Sequence, residues 1–123
     1  MFITLTSDIL VAPQISVAAI AEAQAQGVTC VINNRPEGES DDQTPGAAIE
    51  AAARAAGLDY VAIPITHSGF SQPQIAAMVE ALKGAQGKVL AYCRSGTRST
   101  NLWALAEASQ GGDPDSLINI AAK

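Results

Sequence analysis

Short apolar or β-branched runs alternate along this chain with stretches whose apolar positions return every three to four residues. The first pattern predicts buried strands and the second amphipathic helices. "FITL" (Phe2–Leu5) and "DILVAP" (Asp8–Pro13) read as two short strands, a hairpin or one broken strand. Ser16 is placed to cap a helix over Val17–Gln26, with Gly27 as its stop. "VTCVIN" (Val28–Asn33) predicts a buried strand, and the loop "EGESDDQTPG" follows. Thr44-Pro45 opens a helix that runs to Gly57. "LDYVAIPI" is the next strand, stopped near Pro64, and Ser71 opens a helix ending near Gly84. "KVLAY" (Lys88–Tyr92) is the last strand. The helix after Cys93 ends before Gly111-Gly112, and Asp113 with Pro114 starts a short terminal one.

Strand–helix alternation with crossover-length connections predicts an α/β fold in three layers, a mostly parallel central sheet flanked by helices. Ligands in such folds bind beyond the carboxyl ends of the strands. Cys93, Asn33-Asn34-Arg35 and Thr66-His67 all fall at such ends and converge on one rim. The 123 residues suffice for one domain, 1–123, with a substantial core. Alanine is abundant, with 24 residues, which points to close-packed helices on a small aliphatic sheet. The net charge of −5 argues against nucleic acid or an anionic membrane as partner. No apolar run reaches a membrane-spanning length. The N-terminus lacks the basic-then-apolar pattern of a secretory signal, and Cys30 and Cys93 have no CxxC spacing. Two thiols in a reducing cytoplasm are the expectation.

The chemistry concentrates in "AYCRSGTRS" (Ala91–Ser99). A helix N-terminus and neighbouring cations favour a thiolate over a thiol, and the thiolate is the nucleophile. Arg94, Ser95, Gly96 and Thr97 form a loop whose N–H groups can turn toward an anion, with Gly96 free to adopt what a side chain would obstruct. Arg98 offers a planar fork suited to a tetrahedral anion, and the Ser99 hydroxyl is placed to stabilise sulfur as a leaving group. These parts make an anion cradle with a nucleophile at its base, for a small anionic substrate. An inert buried thiol is the alternative. It suits Cys30, inside an apolar strand, but leaves the arginines, glycine and hydroxyls around Cys93 unexplained. Arg94 either lines the rim or faces solvent.

The loop resembles two families. Tyrosine and dual-specificity phosphatases carry His-Cys-x-x-Gly-x-x-Arg-Ser/Thr, with five residues between cysteine and arginine. Rhodanese-type sulfurtransferases carry a shorter loop, and Cys93 to Arg98, with four between, has that length. Beyond the loop, "VTCVINNRPEGE" and then "YVAIPITHSGFS" follow the order found in dual-specificity phosphatases. Over nearly its whole length the chain resembles the bacterial DUF442 family, the phosphatase-like domain of beta-lactamase hydrolase-like proteins. That resemblance implies a dual-specificity-phosphatase-like fold, a cysteine-dependent hydrolase forming a thiophosphate on Cys93, and no cofactor or metal. It also implies a metallo-β-lactamase-type hydrolase as a possible partner. The shorter loop keeps open a sulfurtransferase carrying a persulfide on Cys93, or a non-catalytic anion-binding module. Phosphatases of this kind have an aspartate after the Ile-Pro-Ile strand, where this chain has Thr66-His67. His67 is therefore the expected general acid, with Asp41 or Asp42 as substitutes. Arg35 is expected as a second anion contact or as a tie to Glu37, and the acidic run Glu37–Asp42 as a solvated face.

Overall fold

The computed structural model describes residues 2–66 and 68–121. The order is β1 (Ile3–Thr4), β2 (Ile9–Ala12), α1 (Ala19–Ala25), β3 (Val28–Asn33), α2 (Gly46–Ala55), β4 (Asp59–Ala62), α3 (Gln72–Gly84), β5 (Lys88–Tyr92), α4 (Thr97–Ser109) and α5 (Pro114–Ala121). The strands form one sheet in the order β1-β2-β5-β3-β4. β1 runs antiparallel to β2, and every other pair is parallel. The β1–β2 hairpin is the first of the two expected alternatives.

Side chains alternate across each strand, so each strand feeds two cores. Ile9, Val11, Cys30, Ile32, Val89 and Ala91 pack on one face against Met78, Leu102, Trp103, Ala106 and Leu117, from α3, α4 and α5. Leu10, Ala12, Val31, Leu90 and Tyr92 pack on the other against Ile20, Ala23, Ile49 and Ala53, from α1 and α2. A register irregularity between Val28 and Cys30 lets those two residues, which lie two apart and would share a face of a regular strand, serve opposite faces. Ala23, Ala53 and Ala106 are fully buried, so alanine sits where helices must approach the sheet closely. This is the three-layer α/β arrangement expected from the pattern.

Element ends follow local chemistry. α1 begins at Ala19, two residues later than expected, because Val17 and Ala18 form a turn closed by bonds from Ala19 to Ser16 and from Ile20 to Val17. Pro45 is the residue before α2 rather than its first helical one. Gly57, at φ +82°, closes α2 by letting the Leu58 N–H reach back to the Ala53 carbonyl at 2.8 Å. α3 opens with a reciprocal box in which Ser71 accepts from the Gln74 N–H and Gln74 from the Ser71 N–H. β4 ends at Ala62, just before the expected stop near Pro64, which has no N–H for the ladder. Ile63 and Ile65 still donate to the carbonyls of Asn33 and Asn34. No helix among the described residues is long and apolar enough to cross a membrane. The register sets Asn33 beside both Tyr92 and Ala62, so the carboxyl ends of three parallel strands share one rim.

Candidate active site

Cys93 leaves β5 at that rim, its N–H donating to the Ala12 carbonyl at 3.3 Å and its side chain fully buried. Gly96 lies at φ +92° and aims its N–H at the Cys93 sulfur, 3.1 Å away. A β-carbon there would stand 3.5 Å from the Ala12 carbonyl, an ordinary contact, so backbone conformation rather than space demands the glycine. α4 starts at the next residue and points its positive end at the same spot. The N–H groups of Arg94, Ser95, Arg98 and Ser99 meet no acceptor among the described residues. Ser95 and Thr97 turn toward each other, the Ser95 hydroxyl donating to Thr97 Oγ1 at 3.1 Å. The Thr100 hydroxyl pins the loop by donating to the Gly96 carbonyl at 2.9 Å. The Arg94 side chain is exposed.

Arg98 is the other half of the site. Its Nη1 donates to Glu39 Oε2 at 2.8 Å and to the Ile65 carbonyl at 2.6 Å, and its Nη2 donates to Glu39 Oε1 at 2.8 Å. A guanidinium has five N–H bonds. Three are used, and the remaining Nε–H and second Nη2–H lie side by side along one edge. Glu39 raises the pKa of Arg98 further through these hydrogen bonds, as does, more weakly, the neighbouring Cys93 side chain. In return Arg98, and after it Arg35, hold the Glu39 carboxyl at about 2 against burial, which opposes them.

Here the structure corrects two expectations. Arg35 is tied to Glu39, not to Glu37, with Nε 3.0 Å from Glu39 Oε1. It spends two further donors on Gln14 and Ser40 and is only 4% exposed, a strut under the rim rather than an open anion contact. The acidic run is not simply a solvated face either. Glu37 accepts from the Gly46 N–H at 2.9 Å and so caps α2, while Glu39 joins two arginines. Asp41 and Asp42 do match the exposed description. The Ser40 hydroxyl, 2.6 Å away, is the main cause of an Asp42 pKa below the usual carboxylate range, which suits a carboxylate and not a proton donor.

Ser99 is fully buried and its hydroxyl donates to Asn34 Oδ1 at 2.8 Å, so its proton goes to Asn34 and not to the sulfur. Asn34 in turn donates to the Ile63 carbonyl, tying β3, the segment after β4 and α4 into one buried polar link. Glu39 and Gln14 have no signature in the sequence; Glu39 meets Arg98 across 59 residues. His67 lies outside the described residues. Cys30 is buried, and burial first and Asp59 second push its thiol up to about 11, which keeps it protonated and inert.

The chain is similar to several known proteins. The family model of the beta-lactamase hydrolase-like protein, phosphatase-like domain, matches residues 1–110. A beta-lactamase hydrolase-like protein of Agrobacterium fabrum is 34% identical over 109 residues, 89% of this chain and 25% of that protein. One from Xylella fastidiosa is 40% identical over 86 residues, 70% of this chain and 20% of that protein. The chain thus spans a quarter or less of the length of these curated relatives. Among solved structures, a candidate phosphatase of Neisseria meningitidis superposes with a TM-score of 0.85 at 28% identity, covering 97% of this chain and 84% of that one. TpbA of P. aeruginosa, solved in complex with phosphotyrosine, superposes at 0.72 with 16% identity over 99% of this chain and 72% of its own, a likeness of fold. The fold is therefore that of the tyrosine and dual-specificity phosphatases. With the family match covering nearly the whole chain, this protein belongs to the phosphatase-like domain family of beta-lactamase hydrolase-like proteins.

Proposed function

We propose that this chain hydrolyses a phosphomonoester through a thiophosphate on Cys93. The observation that carries the reading is the Gly96 N–H held on the Cys93 sulfur at 3.1 Å, under a ring of loop amides without protein acceptors. That N–H and the N-terminus of α4 meet at the sulfur, and a cysteine acts as a nucleophile through its thiolate. The thiolate attacks phosphorus, the P–O bond to the leaving group breaks, and the leaving oxygen takes a proton from a general acid. His67, by its place in the sequence, is our candidate for that acid. Water then gives a proton back to that acid and attacks phosphorus, the S–P bond breaks, and inorganic phosphate and the thiolate are released. The free edge of Arg98 and the loop amides hold the non-bridging oxygens, where charge accumulates in the transition state. A hydrolase of the metallo-β-lactamase type remains our proposed partner, and a reducing cytoplasm the proposed setting for the two thiols.

The four-residue spacing from Cys93 to Arg98 favours a second reading, sulfur transfer through a persulfide on Cys93. One experiment separates the two. Wild type and Cys93→Ser are assayed with p-nitrophenyl phosphate and with thiosulfate plus cyanide, and trapped Cys93 is weighed by mass spectrometry. Phosphatase turnover lost in Cys93→Ser, with a phosphoryl group on the trapped cysteine, is expected. Cys93-dependent thiosulfate turnover without aryl phosphatase activity overturns the phosphatase reading. No turnover of either kind leaves the anion-binding module.

A further inference from the structure

We propose that a small organic ammonium ligand binds in a cavity at the amino ends of β2 and β5, the end of the sheet away from Cys93. The cavity holds about 510 Å³, a volume within the range of small-molecule sites. Val89, on its wall, stands four residues before Cys93 along β5, about 13 Å away at the rise of a parallel strand. The cavity is therefore separate from the anion cradle, and its occupancy stands whatever chemistry Cys93 performs.

The buried part of the lining is apolar and the more exposed part is acidic. Ile9, Val89 and Trp103 are each at most 3% exposed, with Leu82 beside them. Asp8 and Glu107 are the charged groups of the wall, and no lysine or arginine lines it. The ion pairs among the described residues lie elsewhere, at Glu39 and Glu50, so neither carboxylate is paired. Their backbones are held in place. The Asp8 N–H donates to Thr6 Oγ1 at 3.1 Å, and its carbonyl accepts from the Val89 N–H at 2.9 Å, which pins Asp8 to the start of β5. Glu107 follows Trp103 by four residues and shares its face of α4.

Two carboxylates alone are an acidic patch; Trp103 adds a demand of its own. Its indole N–H donates to no acceptor among the described residues. Among those residues, the polar side-chain atoms sealed from solvent without a partner are Thr29 Oγ1 and Tyr92 OH, and Trp103 Nε1 is not one of them. The N–H of this buried residue thus stays open, and the cavity is what Trp103 lines. A ligand oxygen there makes a hydrogen bond that the protein leaves unmade. The lining therefore calls for three features in one molecule. It needs an ammonium for Asp8 and Glu107, an apolar body for Ile9, Leu82 and Val89, and an oxygen acceptor for Trp103. A bare metal ion offers only the first, and an anion meets repulsion from both carboxylates.

Trp103 is the only tryptophan, so its indole N–H gives a single resonance in the 15N-labelled chain. Tyramine is the probe, with an ammonium, a ring and a phenolic oxygen; 4-hydroxyphenylacetate and 4-ethylphenol are its anionic and neutral counterparts. Tyramine should shift that resonance saturably and bind about 10-fold or more tighter than either counterpart, the worth of one charge-assisted contact. This comparison uses the wild type and needs no variant to fold. Asp8→Asn combined with Glu107→Gln should abolish the preference for the ammonium, and inorganic phosphate should not displace tyramine. No saturable shift up to about 10 mM tyramine, a very weak affinity, overturns the proposal. Equal affinity for the three probes, or a preference that survives in the double variant, also overturns it. Displacement by phosphate would put tyramine at Cys93 instead and overturns it too, leaving the reading of the Cys93 loop standing.

Discussion

Replacing Glu39 by Gln keeps the side chain's shape and removes its charge, so stability should carry a specific acid signature. The carboxyl is lowered from 4.5 to about 2, by the Arg98 hydrogen bond first and by Arg35 after it. Glu39 is 14% exposed and Arg98 17%, so solvent screens the pair only modestly. The interval from 4.5 to about 2, at about 1.4 kcal/mol per pH unit, makes the ionised form worth roughly 3 kcal/mol to the fold. The folded value lies below the unfolded one, so the unfolded chain takes up the proton first as pH falls. The contribution is complete above about 4.5 and is lost progressively toward 2. Urea unfolding of wild type and Glu39→Gln, compared pH by pH, isolates this one group from the other carboxylates. The gap between the two should be steady near neutral pH and shrink to about half by roughly pH 3. The same comparison in an Arg98→Ala background should lose most of the narrowing. A gap that stays constant down to that pH would refute the ion-pair account.

Arg98→Lys keeps a positive charge but not the paired bonds to Glu39, and its kcat/KM for p-nitrophenyl phosphate should fall by about 10²–10³-fold. Arg94→Ala should cost far less, because that side chain faces solvent; equal losses would undo the assignment. Gly96→Ala forces a β-carbon to φ +92°, and should cost about 1–2 kcal/mol in urea unfolding together with a drop in turnover. Ser99→Ala leaves Asn34 Oδ1 buried without its donor, which should lower stability by about 1–3 kcal/mol. Cys30, with its thiol near 11 in an apolar strand, should resist iodoacetamide until urea unfolds the chain; rapid labelling of native protein at Cys30, read by peptide mass mapping, would contradict its inert role.

Features written in contiguous residues were legible before the structure. The alternation of "VTCVIN" and "KVLAY" with Ala-rich helical stretches is local, and it located both strands at their observed bounds. The Ser71 start of α3 was legible for the same reason, since its capping partner Gln74 is three residues away. The cysteine loop is also contiguous, and Gly96 does adopt the conformation its position suggested. Glu39 was not legible. Nothing local separates it from Glu37, Asp41 and Asp42, and its role is set by Arg98, which reaches it only after β3 and β5 are paired. Asn34 read only as a strand-end residue on the rim, and Ser99 as a leaving-group helper, until packing brought them together. The start of α1 slipped because the first turn there is closed by tighter bonds, a difference that apolar spacing does not encode.

The sheet order has a consequence for how the molecule comes to exist. β5 is the last strand in sequence yet the middle one in space, and β2 and β3 each pair with it and not with each other. Until β5 arrives, the chain has only two half-sheets, β1–β2 and β3–β4, each with an apolar inner edge and no partner. During synthesis those edges wait for residues 88–92 to emerge, and a chain interrupted before them presents two open strands to other chains. Inserting β5 closes loops of long sequence separation, the slow kind of step in folding. The residues immediately after it carry the cysteine, the glycine turn and the arginine. Recovery of catalytic competence in a refolding experiment would therefore time the closing of the sheet itself.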